Sequence, residues 1–190
     1  MKFFKKPSVA VFLSILLVYI STMTSISVKL TDKCIDVTDG FYDGVRVEGV
    51  DYPATYDSVK ELCSISDEII LIAKNYGIDT EELSYALDGL ESAMIYSSED
   101  ISYIGWCYDD FIQQLKLVDG QLGNTGLSQR HTAAMEEYSA QMSSALEATE
   151  KNSAAYNETV RAFIREYDRF PISTWANLTD TYFPGYFGNM

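Results

Sequence analysis

The stretch ISYIGWCYDDFIQQLKLVDGQL, residues 101–122, places apolar side chains at Ile101, Ile104, Tyr108, Phe111, Leu115, Val118 and Leu122. The steps of 3, 4, 3, 4, 3 and 4 residues are the period of one helix face. The spacing predicts a helix from near Ser98 to about Leu122, and Gly120, Gly123 and Gly126, around Asn124 and Thr125, break the chain after it. The same rhythm extends upstream. Leu83, Leu87, Leu90 and Met94 predict a helix from near Asp79 to about Ile95. Val59, Leu62, Ile69, Ala73 and Tyr76 predict another over 58–76, with Ser58 and Glu61 as a capping box and Gly77 as the stop.

Downstream, residues 128–170 contain neither Gly nor Pro, and Pro171 ends the run. A helix of 43 residues would measure about 64 Å. Met135, Tyr138, Met142, Ala145, Thr149, Asn152, Tyr156, Val160, Phe163 and Tyr167 keep a 3/4 step along it, weakly apolar at Thr149 and Asn152. A helix of that length needs shorter helices packed along it. The expected fold is therefore all-α, an antiparallel up-and-down bundle of about four helices with a long last one, over residues 58–190. No strand alternation and no internal repeat competes with it. The tail, 172–190, is aromatic, with Trp175, Tyr182, Phe183, Tyr186 and Phe187, and Pro184, Gly185 and Gly188 forbid a continuous helix. It reads as a tail folded back on the bundle, or as a sticky segment for a partner or the bilayer interface.

Residues 29–57 read differently, as an acidic extended linker with a small hairpin around 45–50. Asp36, Asp39, Asp43, Glu48 and Asp51 invite a calcium loop, but their spacing does not match alternating ligands closed by a terminal Glu. A solvated acidic segment is the simpler reading.

Residues 1–28 open with MKFFKK and continue into Val9, Phe12, Leu13, Ile15, Leu16, Leu17, Val18 and Ile20. Residues 7–28 carry no charge, and 22 residues of helix span about 33 Å, enough for a bilayer core. Lys2, Lys5 and Lys6 before the apolar run place the N-terminus in the cytoplasm and the rest outside. Two outcomes fit: a retained single-pass anchor in the cell membrane, or a signal peptide cut near Ser25-Ile26-Ser27 and a secreted product. Asp32 and Lys33 ahead of Cys34 do not suit lipoprotein processing.

The chain carries 28 acidic and 14 basic residues, a net charge of −14, and without the three N-terminal lysines the remainder carries −17. Such a body repels phosphate backbones, so nucleic acid is excluded as a partner. His131 is the one histidine, which excludes a multi-histidine zinc site. There is no Gly-rich phosphate loop, nucleophile elbow, HExxH or paired CxxC. The pairs Glu81-Glu82, Glu99-Asp100, Asp109-Asp110 and Glu136-Glu137 lack the Glu-x-x-His partners of a di-metal bundle and read as solvated faces or first-turn charges. No catalytic, metal or cofactor-binding residue emerges. Cys34, Cys63 and Cys107 read as buried free thiols or as one internal bridge, in any of three pairings. Asn157-Glu158-Thr159 and Asn177-Leu178-Thr179 are formal glycosylation sequons.

The end of the long helix carries a family resemblance. Tyr156-Asn157-Glu158-Thr159-Val160-Arg161 is followed by Phe170-Pro171, then Trp175 and Ala176, and later Tyr182-Phe183. This resembles the C-terminal signature of the LemA family of bacterial membrane-anchored proteins, specifically over about residues 155–178 and in architecture over the rest. The matching positions are Tyr156, Asn157, Val160, Phe170, Pro171 and Ala176. The family's second Tyr-Asn is replaced by Phe163-Ile164, its upstream Glu-Asn by Leu146-Glu147 and a later Arg by Ser153, and its Arg-Arg on the first helix is absent. The resemblance implies an extracytoplasmic helical bundle behind a retained N-terminal anchor, with no assigned enzyme activity. In structural terms, Tyr156, Val160 and Phe163 fall on the core stripe, and Asn157 is placed to bond a neighbouring helix or its connection.

The functional expectation is a non-enzymatic, membrane-anchored interaction or scaffold module at the cell envelope, with an envelope protein as partner. The alternative is a secreted, ligand-binding bundle with a small apolar or cofactor-like ligand between helices lined by Tyr and Met, for which His131 would serve as axial ligand.

Overall fold

Among the described residues, 7–169, 172–179 and 181–188 of a computed structural model, the chain forms six helices and one two-stranded hairpin. In order these are α1 (Pro7–Asp43), β1 (Val45–Val47), β2 (Val50–Tyr52), α2 (Thr55–Asn75), α3 (Glu81–Tyr96), α4 (Ile101–Gly123), α5 (Gln129–Tyr167) and α6 (Ile172–Leu178). The fold is the expected all-α bundle. Lys2, Lys5 and Lys6, and the motif positions Phe170 and Pro171, lie outside the described residues.

The stripe on α4 is buried as its spacing predicts. Ile101, Ile104, Phe111, Leu115, Val118 and Leu122 are all in the core, packed against α2 and α3. The Asp100 carboxylate caps this helix by accepting the Tyr103 backbone N–H at 3.0 Å. The hydroxyl of Tyr76, at the end of α2, lies 2.9 Å from His131 Nδ1 and accepts the Ser128 N–H at 2.8 Å, at the start of α5. The end of α2 and the end of α4 thus meet at the head of α5, with α3 returning between them, which is up-and-down topology.

Two boundaries differ from expectation. Residues 29–43 are not an extended linker but the last turns of α1. Leu30, Cys34 and Phe41, spaced 4 and 7 apart, are buried on one face, so burial holds the helix despite the intervening acids and Gly40. Only after Asp43 does the chain turn into the hairpin, pairing Val45 with Tyr52 and Val47 with Val50. Its two loop residues, Glu48 and Gly49, have φ of 51° and 84°, the doubly positive combination that matches strand twist. Likewise, α2 starts at Thr55 rather than Ser58. Ser58 is inside the helix, buried, and donates its hydroxyl to the Thr55 carbonyl at 2.9 Å, so it does not act as the cap. The helix α6 was not foreseen in the tail.

The chain divides into two compact units. One comprises Met1–Asp36 and Phe163–Phe183, the other Val37–Ala162 and Pro184–Met190. The second holds the bundle core described above, and α1 and α5 each contribute to both.

Candidate functional site

Two features of the molecule carry functional information: the apolar stretch of α1, and a clasp formed by residues 184–188 on the bundle.

On α1, Phe12, Ile15, Leu17 and Val18 are 64, 64, 67 and 66% exposed, Leu16 and Ile20 are exposed, and Leu13 is half-buried. A large apolar side chain left in water forgoes roughly 1.5–3 kcal/mol of burial free energy. Among the described residues nothing covers this stretch, whose most apolar window is 0% buried. By length and composition α1 is a candidate membrane span, and a signal sequence meets the same test. Thr22 and Thr24 donate their hydroxyls to the Val18 and Ile20 carbonyls at 2.8 and 2.9 Å. Those bonds satisfy, inside the helix, the polar groups that an apolar surrounding would otherwise penalise.

The clasp is built on α5. Tyr156, fully buried, donates its hydroxyl to the Gly185 carbonyl at 3.0 Å. One turn position on, Asn157 donates Nδ2–H to the Phe187 carbonyl at 2.9 Å and accepts the Phe187 N–H on Oδ1 at 2.9 Å. The amide therefore pairs with both backbone groups of a single residue, Phe187, as a strand neighbour would. Phe187 is buried, with ring centroids 5.2 Å from Phe41 on α1 and 5.0 Å from Tyr108 on α4. Phe41 in turn meets Tyr156 edge-on at 5.7 Å. The approach of the clasp to α4 requires Gly105, where a Cβ would collide with the Gly188 backbone, and Gly188 itself has φ of 75°. Burial pushes the Tyr108 phenol up to about 12, partly offset by its bond to Thr149, and pushes Tyr156 well above the ordinary tyrosine range.

The motif positions thus have distinct places. Tyr156, Asn157 and Val160 lie together at the clasp or in the core beside it, and Ala176 is buried on α6 in the other unit. Because both atoms of the Asn157 amide are engaged, the first sequon is occupied by structure. Sequence reading placed Asn157 to bond a neighbouring helix or its connection but did not identify Gly105 or Phe41 as its setting. The only local signal for Gly105 was a glycine inside an otherwise clean helical pattern.

The remaining chemistry-bearing residues are dispersed. Cys34, Cys63 and Cys107 are free and buried. Desolvation pushes Cys34 up to about 11 and Cys63 up to about 12, and raises Cys107, away from the reactive thiolate. The pairs Glu81-Glu82, Glu99-Asp100 and Glu136-Glu137 are exposed. Among the described residues, no group of three or more His, Cys, Asp and Glu side chains is placed to hold a metal ion. His131 Nδ1 is engaged by Tyr76. A groove of about 310 Å³ between α2 and α3, bounded by Asp67, Lys74 and Asp88 beside Ile70 and Leu87, is open to water along its mouth.

No protein-family model matches this chain, and neither a curated protein nor a solved structure is significantly similar to it.

Proposed function

We propose that the protein is a membrane-anchored, extracytoplasmic helical bundle of the LemA type, acting as a non-enzymatic interaction or scaffold module at the cell envelope. The observation that carries this reading is α1 itself. The helix is continuous from Pro7 to Asp43, through the Ser25–Ser27 positions where a signal peptide would be cut, and its apolar stretch is uncovered. The unbroken helix joins the apolar stretch to the folded part, which supports reading it as a retained span. At 1.5 Å per residue the 37 residues of α1 measure about 55 Å, against about 30 Å of hydrocarbon. The rest of the helix belongs to the folded part, where Leu30, Cys34 and Phe41 are buried.

A tether confines the body to a thin layer above the bilayer and raises its effective concentration toward other envelope proteins, so weak contacts suffice. The net charge of the exported part favours a partner surface that is basic. The Tyr156–Asn157 clasp supports a structural meaning for the LemA-like motif, with no reacting group at its centre.

Topology is testable because the native thiols are buried. An Asp88→Cys variant supplies an exposed thiol on α3. A membrane-impermeant maleimide should label it in intact cells and leave the parent protein unlabelled. Labelling only after lysis would overturn the extracytoplasmic placement.

A further inference from the structure

We infer that the groove between α2 and α3 is the docking surface of the bundle, and that its occupant is a short basic amphipathic helix of a partner protein. The inference rests on the interaction-module reading and names the surface and the partner chemistry which that reading leaves open.

The groove is longer than its first cavity. A second cavity of about 550 Å³ adjoins the one of about 310 Å³, and the two share Lys74, Ser84 and Asp88 in their walls. On α2 the lining residues Asp67, Leu71 and Lys74 are spaced 4 and 3 apart, and on α3 Glu81, Ser84 and Asp88 are spaced 3 and 4 apart. Each set is one face of its helix, so two continuous faces form the walls. Asp67 to Lys74 covers about 10 Å of helix axis. The second cavity carries the groove past the end of α2 to Ile78 and Asp79. About two to three turns of a docked helix match that length.

The groove is apolar along its middle and acidic along its edges. Ile70 and Leu87 are buried in its floor, while Leu71 and Tyr85 are 57 and 77% exposed on its walls. Asp67, Asp79, Glu81 and Asp88 are exposed around them, against Lys74 as the one base in the lining. None of these carboxylates forms an ion pair among the described residues. Their charge is left for a partner to meet.

That pattern selects the occupant. An apolar stripe flanked by Lys or Arg would seat its apolar side chains on Leu71 and Tyr85 and bring its cations to the carboxylates on both edges. Both walls are helices, whose backbone groups bond internally, so the groove offers no free sheet edge for an extended peptide to join. A helix laid between two helices can instead pack ridges into grooves. A second copy of the chain is disfavoured, because it brings 28 acidic residues against 14 basic ones to an acidic surface.

The test uses the full chain in discs of zwitterionic lipid, with empty discs as the blank. The probe is a fluorescein-labelled synthetic peptide of about ten residues, held helical by a side-chain staple, with leucines at i, i+4 and i+7 and lysines elsewhere. A twin peptide carries glutamates in place of the lysines. Fluorescence anisotropy should show saturable binding of the lysine peptide and none of its twin. Leu71→Ser, and the double variant Asp67→Lys, Asp88→Lys, should each weaken binding about tenfold or more. The double variant Glu136→Lys, Glu137→Lys makes the same charge change at exposed positions on α5, outside the groove, and should stay within about twofold of the parent. All replaced positions are exposed, and an unchanged helical circular dichroism signal shows that each variant is folded. Equal weakening by the two double variants, or full binding by Leu71→Ser, would overturn the groove and leave the interaction reading standing. No saturable binding by the parent would overturn the groove together with the reading of a basic partner.

Discussion

At Asn157 a single side chain satisfies both the N–H and the carbonyl of one residue, Phe187, and the consequences can be counted. Asn157→Ala leaves the Phe187 N–H and carbonyl without their partners in a part-buried setting. Each such loss costs roughly 1–3 kcal/mol, so thermal unfolding of the variant, followed by circular dichroism, should begin several degrees lower. Asn157→Asp keeps the acceptor for the Phe187 N–H but sets a carboxylate against the Phe187 carbonyl. Its deficit should shrink as the pH is lowered and the carboxyl protonates; a deficit insensitive to pH would mean that the amide pairing is not what holds the clasp. The buried acids set a second expectation. Desolvation raises Cys63 from 9.0 to about 12, Cys34 from 9.0 to about 11, and Tyr42 and Tyr108 from 10.0 to about 12. The unfolded chain therefore ionises these groups before the folded one does. Their contribution is complete below about pH 9 and is lost between pH 9 and 12, so stability should fall across that alkaline window. Midpoint denaturant concentrations measured between pH 8 and 11 check it, and a flat profile would contradict the burial.

The decisive contact between elements is the close passage of residues 184–188 over α4. Gly105→Ala puts a methyl group where the Gly188 backbone lies, and backbone cannot swing aside as a side chain can. The clasp should lift from α4 while the helix itself gains propensity. Amide exchange at Phe187 should accelerate, and carboxypeptidase should trim further into the chain than in the parent, with the helical signal retained. Equal protection in the two proteins would contradict the packing. Elements of this kind differ in how well a sequence announces them. The α4 stripe was legible because every third or fourth residue from Ile101 to Leu122 serves one buried face. The last turns of α1 were not, because their buried residues, Leu30, Cys34 and Phe41, are sparse among acids and precede a Gly-rich turn. The clasp was half legible. Its anchor positions stand out on α5, but its other side depends on a glycine in α4 and a ring on α1, brought together only by tertiary packing.

At the scale of the molecule, one apolar helix enters a fold whose remaining surface is strongly acidic. The apolar run of α1 and the charge balance are readable from the sequence directly, because both are sums over residues and need no packing. Whether the run is kept or removed is no such sum, and the proposal is that it is kept. The measurement that tests this most directly is the intact mass of the native protein in membranes washed with alkaline carbonate. Retention of α1 predicts the full-length mass in the washed membrane fraction. A product shortened by the first 25–27 residues and recovered in the soluble fraction would contradict the anchor and everything proposed from it.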